Sequence, residues 1–348
     1  MFKRRMSRRT QSVLGVLVAV VLVVWFLRRA DLPRVANLLG AADLRFVALA
    51  CLTVAITSLQ RARRWQQLLA PLGRYAIRDL WAAILMGWSV SVLLPGRLGE
   101  VARPVFLARR APIAASAALG SVVLERVFDV VAILTLLAGY LLWAPAPTAV
   151  SATGVTTMAV LRSVGMGLLA ALALVGMVAV AAARNEPLRR RVEGMVERML
   201  PAAVAGILVS FLTGMSGLRS RAAVAQVLLS SVVLWGTVVS TYVLLFAALG
   251  LGIPWYGAIP LLTLLVVGAA VPTPAAVGAF HKVAQIGLVG LFGVDNDTAV
   301  AYAIIGHAVA FLPLAAVGLI LIVRGGLASE ALRGMQDVAT KNNATRAV

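Results

Sequence analysis

An all-α, polytopic membrane protein is the fold class this sequence predicts, and three observations carry the prediction. Of 348 residues, 61% are hydrophobic and only 13% are charged, whereas a soluble domain carries about 25% charged residues. Apolar runs at Val13 to Leu27, Val164 to Ala183 and Ala299 to Val323 match the roughly 20 residues that cross about 30 Å of hydrocarbon. These runs are continuous, where a β-barrel would show alternating segments of about ten residues.

In chain order, Lys3, Arg4, Arg5, Arg8 and Arg9 precede an apolar run that ends at Arg28 and Arg29 without a small-residue cleavage site. That pattern predicts a retained first helix near 12–28 rather than a secretory signal. Further membrane segments are expected near 45–60, 80–110, 115–143, 163–183, 222–249, 257–292 and 298–323. Two of them are interrupted, one by Pro95, Gly96 and Gly99, the other by Pro272, Pro274 and Gly278. Neither reads as one straight helix. If both are re-entrant, the basic residues divide 25 inside to 5 outside, with Arg126 and Lys282 at membrane depth. This bias predicts cytoplasmic N- and C-termini in a bacterial inner membrane. One broken segment then enters from each side, which makes an inverted repeat, the pattern that marks a midplane site in transporters.

The expected organisation is a single transmembrane domain over 1–323, with a first half at about 45–183 and a second at about 222–323. Residues 184–221 read as an amphipathic connector on the cytoplasmic surface. Residues 324–348 read as a polar tail, with no soluble domain following.

The formal charge of +19 comes almost entirely from arginine, lysine occurring only at positions 3, 282 and 341. In a chain this apolar the excess reads as topology and attraction to anionic headgroups, not as a nucleic-acid interface. The single cysteine, Cys51, excludes an internal disulfide. No metal-ligand spacing and no nucleotide-binding glycine loop occurs, so neither a metal nor a cofactor is expected.

Among thirteen acidic residues, Glu100, Glu125 and Asp129 fall at membrane depth, where an unpaired charge costs roughly 2.5 to 3.5 kcal/mol or more. Glu125 and Asp129 are four apart, hence on one helical face beside Arg126. Arg97, Glu100 and Arg103 surround the first break, and His281 and Lys282 follow the second. Half-helices starting at the two breaks would direct positive N-terminal ends at a common midplane cavity suited to a phosphate. His307, among small apolar residues, is expected to make a helix-to-helix hydrogen bond.

Arg64-Trp65, Pro95-Gly96-Arg97-Leu98-Gly99-Glu100, Arg103-Pro104, Glu125-Arg126 with Asp129, and Pro272-Thr273-Pro274 with Gly278 and Phe280 together resemble the lysylphosphatidylglycerol synthase transmembrane-region family, over about residues 45–323. The resemblance implies a helical membrane domain that, in fused synthases, moves an aminoacylated phospholipid between leaflets. It departs from the family's second motif, commonly P-x-P-G-G-x-G-x-x-E, in Ala275, Ala276 and His281.

The leading expectation is a non-enzymatic flippase or scramblase-like transporter of a phosphate-bearing lipid, with Arg97, Glu100, Arg103, Glu125, Arg126, Asp129, His281 and Lys282 around the substrate. The alternative is a membrane transferase acting on a lipid-linked or polyprenyl-phosphate substrate, with Glu100 or Asp129 as base. An accessory subunit of a lipid-modifying enzyme is a further reading. The expected partner is a membrane lipid, with a second copy or a lipid-modifying enzyme as the protein partners considered.

Overall fold

The computed structural model describes residues 8–93, 98–143, 153–199, 221–271 and 273–324, and all regular structure among them is helical. The described residues exclude Leu94 to Arg97, Pro272, 200–220 and 325–348. Pro95, Gly96 and Arg97 of the first break therefore lie outside them, as do Pro272, the apolar half of the expected connector and the tail.

The chain begins with α1 (Arg8–Leu27), α2 (Leu32–Gly40) and α3 (Leu44–Leu69). The short α2 was not expected from the sequence, although its signals are local. The Asp31 side chain accepts from the Arg34 N–H at 3.2 Å and Pro33 occupies the first turn, both helix-start features. Helix α3 runs nine residues past the segment expected near 45–60. The helix continues because its last turns, Gln60 to Leu69, consist mostly of good helix formers and because two of their arginines, Arg61 and Arg64, turn into the protein and find carboxylates there.

Next come α4 (Ile77–Leu93) and α5 (Leu98–Arg110), the two sides of the first expected break. They pack backbone against backbone. A Cβ on Gly99 would collide with the Gly87 carbonyl oxygen and Ser91 Oγ, and one on Gly87 would come within 2.9 Å of the Gly99 carbonyl oxygen. Only glycine at both positions permits the approach. Then follow α6 (Ala115–Trp143), α7 (Thr153–Arg184), α8 (Glu186–Met199) and α9 (Arg221–Ala248).

The second break separates α10 (Ala258–Ala269) from α11 (Ala279–Phe292), and α12 (Asn296–Arg324) closes the described chain. Helices α10 and α11 form an antiparallel hairpin, for Gly268 meets Val283 while Gly287 meets Leu261 and Leu264. Between them a short 3-10 turn, Pro274–Ala276, holds Ala275 and Ala276 at φ of 50° and 56°. Gly278 follows at φ 81°, where a Cβ would lie 2.6 Å from Leu22 of α1.

Helices 44–69, 222–248, 274–292 and 296–324 are long and apolar enough to cross a membrane. The 29-residue α6 and the 32-residue α7 also exceed the span length. The chain is thus a polytopic helical membrane protein.

Two apolar clusters fix the relation of the hairpins. One joins α9 to α12 through Phe246, Leu262, Leu265, Phe280, Leu288 and Tyr302; the other packs Trp65 and Leu69 of α3 on Leu80, Ile84 and Leu107 of α4 and α5. Helix α12 reaches across to the first hairpin, where Gly318 rests on the Leu85 carbonyl. Helices α3 and α9 lie alongside each other and complete the frame.

Gly99→Ala should therefore destabilise the protein by about 1 to 3 kcal/mol, the cost of overpacking a close contact. Gly236→Ala, whose added methyl meets nothing within 4 Å, should be neutral or slightly stabilising. Thermal unfolding of the two variants in the same detergent makes the comparison, and equal stability would mean that α4 and α5 do not touch.

Candidate functional site

Glu125 and Asp129 lie on one face of α6, as their four-residue spacing requires, and both are buried, with 0% and 4% of their surface exposed. Four arginines from three helices surround them. Arg103 of α5 donates to Glu125 Oε2 at 2.6 Å, and Arg126 Nη2 donates to Glu125 Oε1 at 2.7 Å. Arg64 of α3 donates to Asp129 Oδ1 at 2.6 Å and to Glu125 Oε1 at 3.4 Å. Its other terminal nitrogen donates to Ser231 Oγ of α9 at 3.2 Å, and Trp235 Nε1 donates to Asp129 Oδ1 at 3.1 Å. Arg126 Nη2 lies 3.0 Å from Asp129 Oδ2, and its Nη1 lies 3.8 Å from Glu100. Arg61 of α3 stands further off, 3.7 Å from Asp129 and 3.9 Å from Glu125.

The aromatic residues complete the enclosure. The Arg103 guanidinium lies 4.2 Å from the centre of the Trp65 ring, a cation–π contact, and Trp65 Nε1 donates to Ser121 Oγ at 2.7 Å. Ion pairing of this kind is what makes membrane-depth charge tolerable.

The cluster forms one wall of a cavity of 460 Å³. Arg61, Arg103, Arg126, Asp129 and Trp235 face it from that side. Gly87, Ser91, Gly99 and Glu100 of the first hairpin line it as well, together with Thr273, Ala275, Ala276 and Phe280 of the second. The two broken segments of the sequence thus meet at one cavity. Among the described residues, the cavity is lined by three guanidiniums, Arg61, Arg103 and Arg126, and two carboxylates, Glu100 and Asp129, an excess of one positive charge.

Of the residues singled out in the sequence, Glu100, Arg103, Arg126 and Asp129 line the cavity, and Glu125 stands behind them holding Arg103, Arg126 and Arg64. Arg97 lies outside the described residues. His281 and Lys282 are not among the lining residues. The His281 ring packs on Phe26 and His307, with ring centres 5.2 and 4.5 Å apart. Lys282 lies over Trp25 at 4.4 Å and donates to Gln285 Oε1 at 2.6 Å. His307 Nε2 lies 2.8 Å from the Ala275 carbonyl oxygen, so its hydrogen bond runs to the turn between α10 and α11 and not, as expected, from helix to helix. Gly99 and Gly278 occupy the close approaches described above, and Pro274 opens the 3-10 turn.

Sequence reading missed Arg61, Trp235 and Ser231, and it used Arg64 only as part of a resemblance. The available signal was a pair of arginines three apart at the end of an apolar run, matched in spacing to two carboxylates four apart on another apolar helix. No group of three or more His, Cys, Asp or Glu suited to a metal occurs among the described residues.

Glu125→Ala should cost about 3 to 5 kcal/mol of stability, because the buried guanidiniums of Arg64 and Arg103 and the half-buried one of Arg126 lose a partner. Adding Arg103→Met to that variant should recover part of the loss by removing one orphaned charge. Unfolding midpoints of the single and double variants in detergent test this, and a Glu125→Ala protein as stable as wild type would show that the cluster does not hold the helices together.

Comparison with known proteins places these features in a family. The model of the lysylphosphatidylglycerol synthase TM region matches residues 12–318. A curated relative, Glycosyltransferase AglD of Haloferax volcanii, is 28% identical over 335 residues, covering 88% of this chain and 53% of its own length. The chain thus spans about half the length of that relative. The name is that of an enzyme, which corrects the expectation of a non-enzymatic protein: the relative points to an enzyme. Family and relative together assign a membrane, lipid-related function. The chain belongs to the lysylphosphatidylglycerol synthase transmembrane-region family.

Proposed function

We propose that the protein is a membrane transferase acting on a lipid-linked, polyprenyl-phosphate type of substrate, and that the cavity between the hairpins holds the phosphate. The observation that carries this reading is the excess of guanidinium over carboxylate in a cavity lined from two hairpins. A phosphate supplies the missing negative charge and the oxygen acceptors that arginine recognises. The named activity of the relative at 28% identity supports glycosyl transfer as the reaction class.

In that reaction an acceptor hydroxyl attacks the anomeric carbon of a sugar carried on the lipid phosphate. The bond from that carbon to the phosphate oxygen breaks, and the polyprenyl phosphate leaves with the electron pair. The arginines stabilise the charge that collects on the leaving phosphate. The hydroxyl proton passes to a carboxylate, and Glu100 is the one placed to take it. Its side chain is 36% exposed, whereas that of Asp129 is 6% exposed and that of Glu125 is fully enclosed. Helices α4 with α5 and α10 with α11 would form the two re-entrant hairpins, and the cytoplasmic orientation of the termini follows the charge bias of the sequence.

Glu100→Gln should abolish product formation from a radiolabelled polyprenyl-phosphate sugar, with a loss of about 100-fold or more, while binding of the lipid persists. Product formed at the wild-type rate would remove Glu100 from the chemistry. Exchange of the labelled lipid between leaflets, with no product from the wild-type protein, would favour transport of the same lipid instead.

A further inference from the structure

The four arginines of the cluster are not equivalent, and three of them, Arg61, Arg103 and Arg126, line the cavity. Arg64, Arg103 and Arg126 each make a charge-assisted hydrogen bond of 2.6 or 2.7 Å to Glu125 or Asp129. Those bonds fix them as parts of the framework. Arg61 is different, since its contacts with the two carboxylates are 3.7 and 3.9 Å long, beyond hydrogen-bond distance. Its guanidinium lines the cavity with 16% of the side chain exposed, held near the Trp235 ring at 5.9 Å. A guanidinium carries five donors, and these long ion-pair contacts leave it room to turn them toward a ligand.

A second, independent observation comes from the turn between α10 and α11. Thr273 is buried, with 4% of its surface exposed, and lines the same cavity, yet its Oγ1 has no hydrogen-bond partner among the described residues. Buried hydroxyls are ordinarily bonded. A loosely paired guanidinium and an unpartnered buried hydroxyl, from separate elements, thus border one electropositive cavity.

We propose that Arg61 and Thr273 form the phosphate-oxygen subsite of the cavity, while Arg64, Arg103 and Arg126 serve as framework. The inference rests on the reading of the cavity as a lipid-phosphate site and assigns its contacts. Arg61 approaches from α3 and Thr273 from the second hairpin, so a phosphate held by both would tie the hairpin turn to the fixed cluster on α6. The same geometry accepts a phosphate monoester on a lipid or inorganic phosphate, and the two sources are separated by experiment.

The full-length protein in maltoside micelles is titrated with undecaprenyl phosphate, with undecaprenol as the phosphate-free control, and with inorganic phosphate. Wild type should bind the phosphorylated lipid more tightly than the alcohol. Arg61→Gln should lower affinity for phosphate-bearing probes about ten- to hundredfold and Thr273→Val about three- to tenfold, with undecaprenol binding unchanged. Arg61→Lys should retain part of the preference.

Undiminished phosphate preference in Arg61→Gln overturns the assignment, and so does a wild-type protein that binds neither phosphate probe. Failure of Arg61→Gln to fold also overturns it, because an arginine without hydrogen bonds to the framework is not needed to build it. Wild-type binding of inorganic phosphate without preference for the phosphorylated lipid, lost in Arg61→Gln, keeps the subsite and refutes only its lipid reading.

Discussion

Everything in this structure depends on keeping two carboxylates charged inside an apolar bundle. Glu125 and Asp129 are buried on α6, where removing a partner from either ion would cost more than the pairing itself contributes. The solution gathers Arg64 from α3, Arg103 from α5 and Arg126 from α6 itself, while Trp235 of α9 donates to Asp129 and Ser231 of α9 accepts from Arg64. Because the partners come from separate helices, the cluster sets their relative depth and rotation. Apolar packing alone would leave such helices free to slide, since lipid tails are as apolar as their own side chains.

The cluster explains why the first hairpin is built on glycine. For Arg103 to reach Glu125 at 2.6 Å, α5 must lie close to the helices behind it. The contact of Gly87 with Gly99 brings α4 and α5 together at the turn of helix that carries Arg103, whose own Cβ lies 3.2 Å from the position of a Gly87 Cβ. Helix α12, resting Gly318 on Leu85, fixes α4 from the other side. Ser89 Oγ donates to the Ala315 carbonyl oxygen at 2.7 Å across the same contact.

The architecture was legible in the sequence wherever hydrophobic length decides it. The helices fall close to the apolar runs, and both breaks fall at the Pro/Gly stretches, because an apolar run and a proline act through local physics. The acidic half of the site was legible too, since a carboxylate at membrane depth stands out in any apolar segment. The basic half was legible only in part: Arg103 and Arg126 stood out beside the first break and the carboxylates, whereas Arg61 and Arg64 did not. Arg61 and Arg64 sit at the end of α3, and in a chain with 32 basic residues an arginine there looks like a loop charge that sets topology. Only the pairing with a carboxylate on another helix tells the two roles apart, and pairing is a property of tertiary structure. Lys282 misled in the opposite direction: its place in the sequence suggested the cavity, while its side chain lies over Trp25 of α1.

The turn at 274–278 shows how the departures from the family's second motif are accommodated. Glycines in the motif would occupy left-handed backbone freely, but here Ala275 and Ala276 adopt φ of 50° and 56°, at a cost of about 1 to 2 kcal/mol each. The hydrogen bond from His307 Nε2 to the Ala275 carbonyl oxygen at 2.8 Å helps hold that conformation against the cost. His281 stands where the motif has Glu, at the third position of α11, and its Nδ1 accepts from the Gly278 N–H at 3.4 Å. A glutamate at this position reaches back to the same N–H in a capping box. The replacement therefore conserves the capping role while changing the charge. It also lets the ring join Phe26 and His307 in a cluster of tilted rings, with centres 5.2 and 4.5 Å apart, that seats the second hairpin on α1. An imidazole used this way braces the turn that borders the cavity, while the charged side chains of the opposite wall, Arg61, Arg103 and Arg126, are held by α3, α5 and α6.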